Sequence, residues 1–311
     1  MLSRRSSLAL ATALTAALTL GACGGDDTDA GTGTTGATAG GDGLSVVAST
    51  NVYGSIAEAV AGDAATVTSI IDDPSADPHS YEANTRTQLE LSRATVVIEN
   101  GGGYDDFVDT MLDSAGSDAT VLNAVEISGK TAAAGEELNE HVWYDVETVR
   151  KVAQELEATL AQASPDDADT FAANLATFEA GLDTLEQKIQ TDRAATQGQP
   201  VAITEPVPGY LLDALGTTNA TPEEFSEAIE EESDVPVDVL QQTLALFTQQ
   251  QVRALVHNEQ TTSPQTEQVL RAAQDAGIPA VPVTETLPEG EDYTTWMTQN
   301  VDAITAALAR P

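Results

Sequence analysis

The chain has 311 residues and a formal net charge of −38, with 50 acidic and only 12 basic side chains. This length is enough for one large domain or for two lobes of ordinary size. The negative charge argues against nucleic acid as a partner and favours cationic ligands only mildly, because a dispersed acidic surface also serves solubility or adaptation to salt.

The N-terminus has the order of a bacterial lipoprotein signal. Arg4 and Arg5 precede an apolar run over residues 8–20, and Leu20-Gly21-Ala22-Cys23 follows as a lipobox. We expect a signal peptide over residues 1–22 and a lipidated Cys23 that anchors the protein to the outer face of the cell membrane. A membrane-spanning helix is the alternative, but the run is short for crossing a bilayer. The arginine pair leaves export by the general or the twin-arginine route open.

Cys23 is the only cysteine, so the mature chain forms no internal disulfide and offers no thiolate to a metal. Any metal site must therefore use nitrogen and oxygen donors. Residues 23–43 are rich in Gly, Thr, Ala and Asp and contain no large apolar residue. Such a composition predicts a disordered tether with a reach on the order of 25 Å.

The stretch 44–145 predicts an N-terminal α/β lobe, because short apolar runs alternate with helical patterns. We expect strands over residues 44–49, 65–71 and 95–99 and helices over residues 55–61, 85–92 and 104–114. The alternation implies a parallel sheet, and ligands gather at the carboxyl ends of such strands.

Two histidines in this lobe are candidate metal ligands. His79 follows the second predicted strand within Asp77-Pro78-His79-Ser80-Tyr81-Glu82, where Pro78 stiffens the loop. His141 lies in an acidic and aromatic setting just before a long helical pattern. An isolated histidine is more often a surface residue or a hydrogen-bonded core residue, so the pair needs support from other residues.

Residues 146–198 predict a pair of helices that link the lobes. The first covers residues 146–163, and the second begins near Pro165 after the N-cap Ser164. Apolar residues from Phe171 to Ile189 alternate four and three apart, which gives a stripe along one helix face. The stripe is compatible with a coiled coil between subunits, but it lasts fewer than three heptads. We therefore expect a helix packed along the body of a monomer.

The stretch 199–311 repeats the alternation and predicts a C-terminal α/β lobe. We expect strands over residues 200–204, 252–256 and 279–283 and helices over residues 210–215, 237–249, 263–276 and 293–309. Glu205 and Glu285 both follow strand ends. Together with His79 and His141, they are four nitrogen and oxygen donors that could meet at one cleft.

Four motifs resemble those of the TroA-like family, the solute-binding lipoproteins of zinc and manganese ABC importers. They are Asp77-Pro78-His79-Ser80-Tyr81-Glu82, His141-Val142-Trp143-Tyr144-Asp145, Thr204-Glu205 with Gly209-Tyr210-Leu211, and Thr284-Glu285-Thr286-Leu287. The resemblance implies an α/β fold of two lobes, each with a parallel sheet flanked by helices, joined by one long rigid helix. It also implies a metal cleft between the lobes with His79, His141, Glu205 and Glu285 as ligands.

Two imidazoles and two carboxylates form a neutral site for a divalent cation such as Zn²⁺ or Mn²⁺. We expect Asp145 or a backbone carbonyl to accept a hydrogen bond from the second ring N–H of His141. Glu82 is expected to accept the corresponding N–H of His79. Helix capping is the alternative role for both acids. His257 ends a predicted strand and is expected to support the site from behind or to lie at the surface. The histidine-rich acidic loop of many zinc-specific members of the family is absent between Lys130 and Glu140, which weakens a zinc-only assignment.

The resemblance implies a binding protein rather than an enzyme, one that captures the metal and hands it to a membrane permease driven by a cytoplasmic ATPase. A metal-dependent hydrolase is one alternative, but it would need an open metal position for water and a nearby general base. An adhesin with an incidental metal site is the other.

Overall fold

Two parallel β-sheets lie at the centres of two lobes in the computed structural model, which describes residues 43–73, 81, 84–132 and 137–310. Both lobes belong to one compact unit that spans residues 42–311. The predicted signal peptide and nearly all of the predicted tether lie outside the described residues. No helix in the described part of the chain combines the length and the apolar character needed to cross a membrane.

The first lobe has four strands and four helices. The strands are β1 (Leu44–Thr50), β2 (Ala65–Ile71), β3 (Val96–Glu99) and β4 (Thr120–Asn123), and the helices are α1 (Asn51–Ala61), α2 (Thr85–Leu91), α3 (Phe107–Ala115) and α4 (Ala124–Ser128). All neighbouring strands are parallel in the order β2-β1-β3-β4. The register places Val47 of β1 between Thr68 of β2 and Val97 of β3.

Two long helices, α5 (Val146–Ala163) and α6 (Ala168–Thr196), follow the first lobe. Asp145 caps the start of α5, and a 3₁₀ turn over Pro165–Asp167 leads into the 29-residue α6. The buried side chains of α6 are Phe171, Phe178, Leu182, Leu185, Ile189 and Thr196. They pack within the chain, because α6 contacts α1 and α5 on one side and helices of the second lobe on the other. The apolar face predicted for α6 therefore packs against both lobes.

The second lobe repeats the strand arrangement of the first. Its strands are β5 (Pro200–Ile203), β6 (Thr218–Asn219), β7 (Ala254–Asn258) and β8 (Ala280–Val283), and its helices are α7 (Gly209–Ala214), α8 (Glu223–Glu230), α9 (Val237–Thr248), α10 (Pro264–Asp275) and α11 (Tyr293–Leu308). The strand order is β6-β5-β7-β8, again fully parallel. The predicted fold class is confirmed: two α/β lobes with parallel sheets flanked by helices.

The structure differs from the sequence-based expectations at several elements. The short elements β4, α4, β6 and α8 were not predicted, because two to eight residues carry little periodicity. Helix α3 begins at Phe107 rather than Tyr104, since Gly101, Gly102 and Gly103 all have positive φ and keep the chain in a turn. Strand β7 lies two residues later than predicted, because Asn258 still pairs with Val283 of β8.

One continuous apolar core extends through both lobes. It contains residues of both sheets and of α1, α5, α6 and α11, such as Val46, Leu156, Leu182, Val256 and Ile304. Smaller clusters cover the outer face of each sheet. Because the lobes share one core, the long helix is fixed on both sides and the loops between the lobes are held close together.

We expect Leu182→Ala to lower the free energy of unfolding by about 2–5 kcal/mol, because Leu182 of α6 is 0% exposed in the shared core. Urea denaturation followed by circular dichroism measures the change. Leu89→Ala is the matched control, since Leu89 of α2 is 47% exposed and its truncation should cost less than about 0.5 kcal/mol. Equal losses for the two variants would contradict the packing described for α6.

Candidate metal centre

His141 lies at the boundary between the lobes, immediately before a 3₁₀ turn over Val142–Tyr144. Its side chain is fully buried, and its ring packs against Trp143 with 5.0 Å between ring centroids. Trp143 in turn contacts Tyr104 and Tyr144. This aromatic cluster packs against the imidazole and fixes its position.

Asn139 orients the imidazole of His141. The Asn139 amide nitrogen donates to the carbonyl of Pro206 at 2.9 Å, so its Oδ1 faces the histidine. That oxygen lies 2.9 Å from Nδ1 of His141 and also accepts the His141 backbone N–H at 3.0 Å. With Oδ1 as an acceptor, Nδ1 carries a proton, and Nε2 is the nitrogen that faces the cleft.

Two carboxylates of the second lobe approach Nε2 of His141. Glu230 Oε1, at the end of α8, lies 3.3 Å away, and Glu285 Oε2, just after β8, lies 3.9 Å away. Glu230, Glu140 and His141 each offer a potential metal-ligand atom, and these atoms all lie within 4.8 Å of one another. Among the described residues, acids thus surround the imidazole nitrogen Nε2 of His141.

Glu285 is held by both lobes. Its Oε2 accepts a hydrogen bond from the hydroxyl of Tyr104 at 2.9 Å, and its Oε1 accepts from Asn258 Nδ2 at 2.7 Å. The backbone N–H of Glu285 donates to Gln260 Oε1 at 2.5 Å. Because partners from two lobes fix the carboxylate, its position depends on their correct association.

Glu205 lies buried directly after β5 and Thr204. Burial raises the pKa of its carboxyl to about 8, and repulsion by Glu230 and Glu285 adds to the shift, while hydrogen bonds from Asn258 and Thr261 oppose it. Its Oε2 has no hydrogen-bond partner within the described part of the chain. A buried carboxylate oxygen in this setting is suited to a cation.

The acids also change the titration of His141. Burial alone would lower the pKa of the imidazole, but the negative charges of Glu230, Glu140 and Glu285 outweigh it and raise that pKa to about 9. The metal-free site therefore holds a protonated imidazole near neutral pH. A metal ion that binds Nε2 must displace this proton.

The structure brings together three of the four predicted ligands: His141, Glu285 and Glu205. Nε2 of His141 lies 3.9 Å from Oε2 of Glu285, and the negative charge of Glu285 repels the carboxylate of Glu205. His79 and Glu82 lie outside the described residues, as does Cys23.

Asp145 takes the alternative role that was expected for it, and His257 lies within a strand. Asp145 Oδ2 accepts the backbone N–H of Thr148 at 3.2 Å and lies 3.0 Å from Lys130 Nζ, so Asp145 caps α5, which was the stated alternative. Asn139 takes the place beside Nδ1 of His141. His257 lies half-buried inside β7. Because side chains alternate along a strand, His257 points away from the face on which Asn258 holds Glu285.

Sequence reasoning missed Glu230 and Asn139. Glu230 opens the run Glu230-Glu231-Glu232, which resembles an ordinary solvated acidic stretch. Asn139 stands two residues before His141, and this proximity was the only local signal for its role.

Comparison with known proteins identifies the family. The family model for the periplasmic zinc-uptake complex component A, ZnuA, matches residues 46–307. The chain belongs to this family. The resemblance expected from the four motifs is thereby confirmed.

The relatives of this ZnuA-family chain are named for different metals. The chain is 27% identical over 202 residues to the manganese-binding lipoprotein MntA of Halalkalibacterium halodurans, a match that covers 64% of this chain and 65% of that relative, just under two thirds. It is 26% identical to the iron ABC transporter substrate-binding lipoprotein MtsA of Streptococcus pyogenes serotype M1, covering 88% and 91%.

A solved structure shows the same fold. The periplasmic zinc-binding protein TroA of Treponema pallidum superposes with a TM-score of 0.73 at 20% identity, covering 87% of this chain and all of that one. At this level of identity the likeness establishes the two-lobed architecture.

We expect the metal-free protein to lose stability as pH rises from about 4.5 to about 9. The folded pKa of His141, about 9, and that of Glu205, about 8, both exceed the ordinary values, so the protonated forms are the ones favoured by folding. The contribution of His141 to stability is complete below about pH 6.5 and is lost as pH rises through about 9. The contribution of Glu205 is complete below about pH 4.5 and is lost as pH rises through about 8.

Urea denaturation in chelator across this range measures the effect. Glu205→Gln should flatten the dependence of the unfolding free energy on pH, whereas Glu259→Gln, at an exposed position after β7, should leave it unchanged. Identical pH profiles for the wild type and Glu205→Gln would contradict the raised pKa of Glu205.

Proposed function

We propose that this protein captures a divalent transition-metal ion, Zn²⁺ or Mn²⁺, outside the cytoplasmic membrane and delivers it to the permease of an ABC importer. One observation carries the proposal. The buried Nε2 of His141 lies within 3.9 Å of carboxylates from two separate elements of the second lobe.

The proposed ligands are His141, Glu205 and Glu285, with His79 as the fourth. Glu205 and Glu285 are buried and repel each other electrostatically, which is costly unless a cation compensates their charge. Imidazole nitrogen and carboxylate oxygen suit zinc, manganese and iron alike. A divalent ion bound by two of each would leave the site neutral.

The chemistry of the donors does not by itself select one metal. Zinc binds most sites more tightly than manganese in the general order of divalent ions, so supply and the selectivity of the permease would decide the cargo. The names of the relatives include manganese, iron and zinc. Within this range we propose Zn²⁺ or Mn²⁺, the two ions expected from the motifs, as the cargo.

Transport fits the site better than hydrolysis does. A catalytic zinc site keeps one position open for water, whereas four protein ligands would complete a tetrahedron. The relatives named as substrate-binding or metal-binding lipoproteins also favour capture and delivery over catalysis. Surface adhesion has no comparable support in the geometry of the site.

The proposed location is the outer face of the cell membrane. The lipobox at Cys23 would anchor the chain through a lipid, and the segment up to residue 43 would tether the lobes. The lipoprotein names of two relatives support this location. The protein would act as a monomer, because α6 buries its apolar stripe within the chain.

We expect Glu285→Gln to lower the affinity for Zn²⁺ and for Mn²⁺ by at least about tenfold, since the substitution removes a negatively charged donor from the ligand set. His141→Ala should do the same, because it removes the nitrogen donor. Isothermal titration calorimetry on chelator-treated protein measures both.

The matched control is Glu289→Gln, which removes the same charge from an exposed position four residues further along the chain. Its affinities should equal those of the wild type. If Glu285→Gln and His141→Ala also bind both metals as the wild type does, the proposed site is wrong.

A further inference from the structure

Asn139, in the segment that leads into α5, is held by the second lobe. Its amide nitrogen donates to the carbonyl oxygen of Pro206 at 2.9 Å, and the same oxygen accepts the backbone N–H of Gly209 at 2.8 Å. The backbone oxygen of Asn139 accepts a hydrogen bond from the hydroxyl of Tyr210 at 2.6 Å. Residues 206–210, which we call the 206–210 turn, therefore bond both the side chain and the backbone of Asn139.

The side chain of Asn139 lies directly against Gly209. A β-carbon added at residue 209 would lie 2.7 Å from Asn139 Nδ2, which is closer than such atoms approach in proteins. The amide could move aside only by losing its bond to Pro206 or by turning Oδ1 away from the ring of His141. Glycine at this position therefore permits the close approach of the 206–210 turn to Asn139.

Tyr210 is itself fixed by residues that precede α5. The ammonium nitrogen of Lys130 lies 4.3 Å from the centroid of the Tyr210 ring, and it also lies 3.0 Å from Asp145 Oδ2. A cation over an aromatic face is attracted by the charge distribution of the ring. Because Asp145 caps α5, this contact ties α7 to the start of the linking helices. The 206–210 turn is thus held in place on both sides of Asn139.

We propose that the 206–210 turn positions His141 for metal binding through Asn139. This inference rests on the proposed function, in which His141 is a ligand. Partners behind a metal-binding histidine fix its tautomer and the orientation of its ring. Here the partner engages Nδ1, and Nε2 is directed at Glu230 and Glu285. An imidazole that precedes the linking helices is thus oriented by the second lobe, so the donors are in place only while the lobes are associated.

Gly209→Ala tests whether the turn acts through Asn139. The added methyl group should displace the amide, and we expect titration calorimetry with ZnCl₂ to show binding weakened about tenfold, as is typical for loss of a partner behind a ligand. In an Asn139→Ala background the methyl group meets no amide, so the same substitution should change the zinc affinity less than about twofold. An equal loss in the two backgrounds, or none in either, would overturn the inference.

Tyr210→Phe and Tyr144→Phe form a matched pair that keeps the test open if Gly209→Ala does not fold. Each removes a hydroxyl that donates at 2.6 Å to a backbone carbonyl of another part of the site, and only that of Tyr210 donates to Asn139. NMR of metal-free protein labelled with ¹⁵N-histidine detects the Nδ1–H of His141 directly. We expect Tyr210→Phe to shift or lose this resonance and Tyr144→Phe to retain it.

The NMR measurement separates the inference from the proposed function, because it needs no metal. A resonance of His141 that is the same in the wild type and in Tyr210→Phe would overturn the positioning role of the turn. A wild type that shows the expected resonance but binds no zinc would instead reject the proposed function and leave the positioning of His141 supported.

Discussion

Repulsion among buried carboxylates is the constraint on which the candidate site depends. Glu230 and Glu285 both repel the buried carboxylate of Glu205, and Glu285 is itself buried. In the metal-free protein, a protonated His141 supplies the compensating positive charge, and this explains why its pKa rises although burial acts in the opposite direction. A divalent cation would supply more charge at the same place. Metal capture and proton release are therefore coupled through one nitrogen atom.

The second constraint is that the site is assembled from both lobes. Tyr104 of the first lobe donates to Glu285, and the hydroxyl of Tyr144 donates to the carbonyl of Thr284 at 2.6 Å. Further away, the side chain of Asn51 makes two hydrogen bonds with the backbone of Leu287, at 2.8 and 2.9 Å. Together with the shared core around α6, these bonds hold the lobes in one arrangement. The contacts that position the carboxylates are thus the same contacts that resist separation of the lobes.

The sequence predicted the architecture well, because alternating apolar runs and helical periods determine a parallel α/β fold and place loops at strand ends. Glu205 and Glu285 were found for this reason, since each directly follows a strand. Glu230 was not, because α8 is a short helix and its acidic end has the composition of an exposed surface. Asn139, rather than the predicted Asp145, lies beside His141, because Asp145 is engaged by the N-terminus of α5. Such roles depend on tertiary contacts that no local pattern encodes.

We propose that side chains from distant parts of the chain bind one ion in the cleft between the lobes. A crystal structure of manganese-loaded protein, with anomalous diffraction recorded at the manganese edge, tests it most directly. One strong anomalous peak is expected, bonded to Nε2 of His141 and to carboxylate oxygens of Glu205 and Glu285. A peak elsewhere on the acidic surface, with the cleft free of metal, would contradict it.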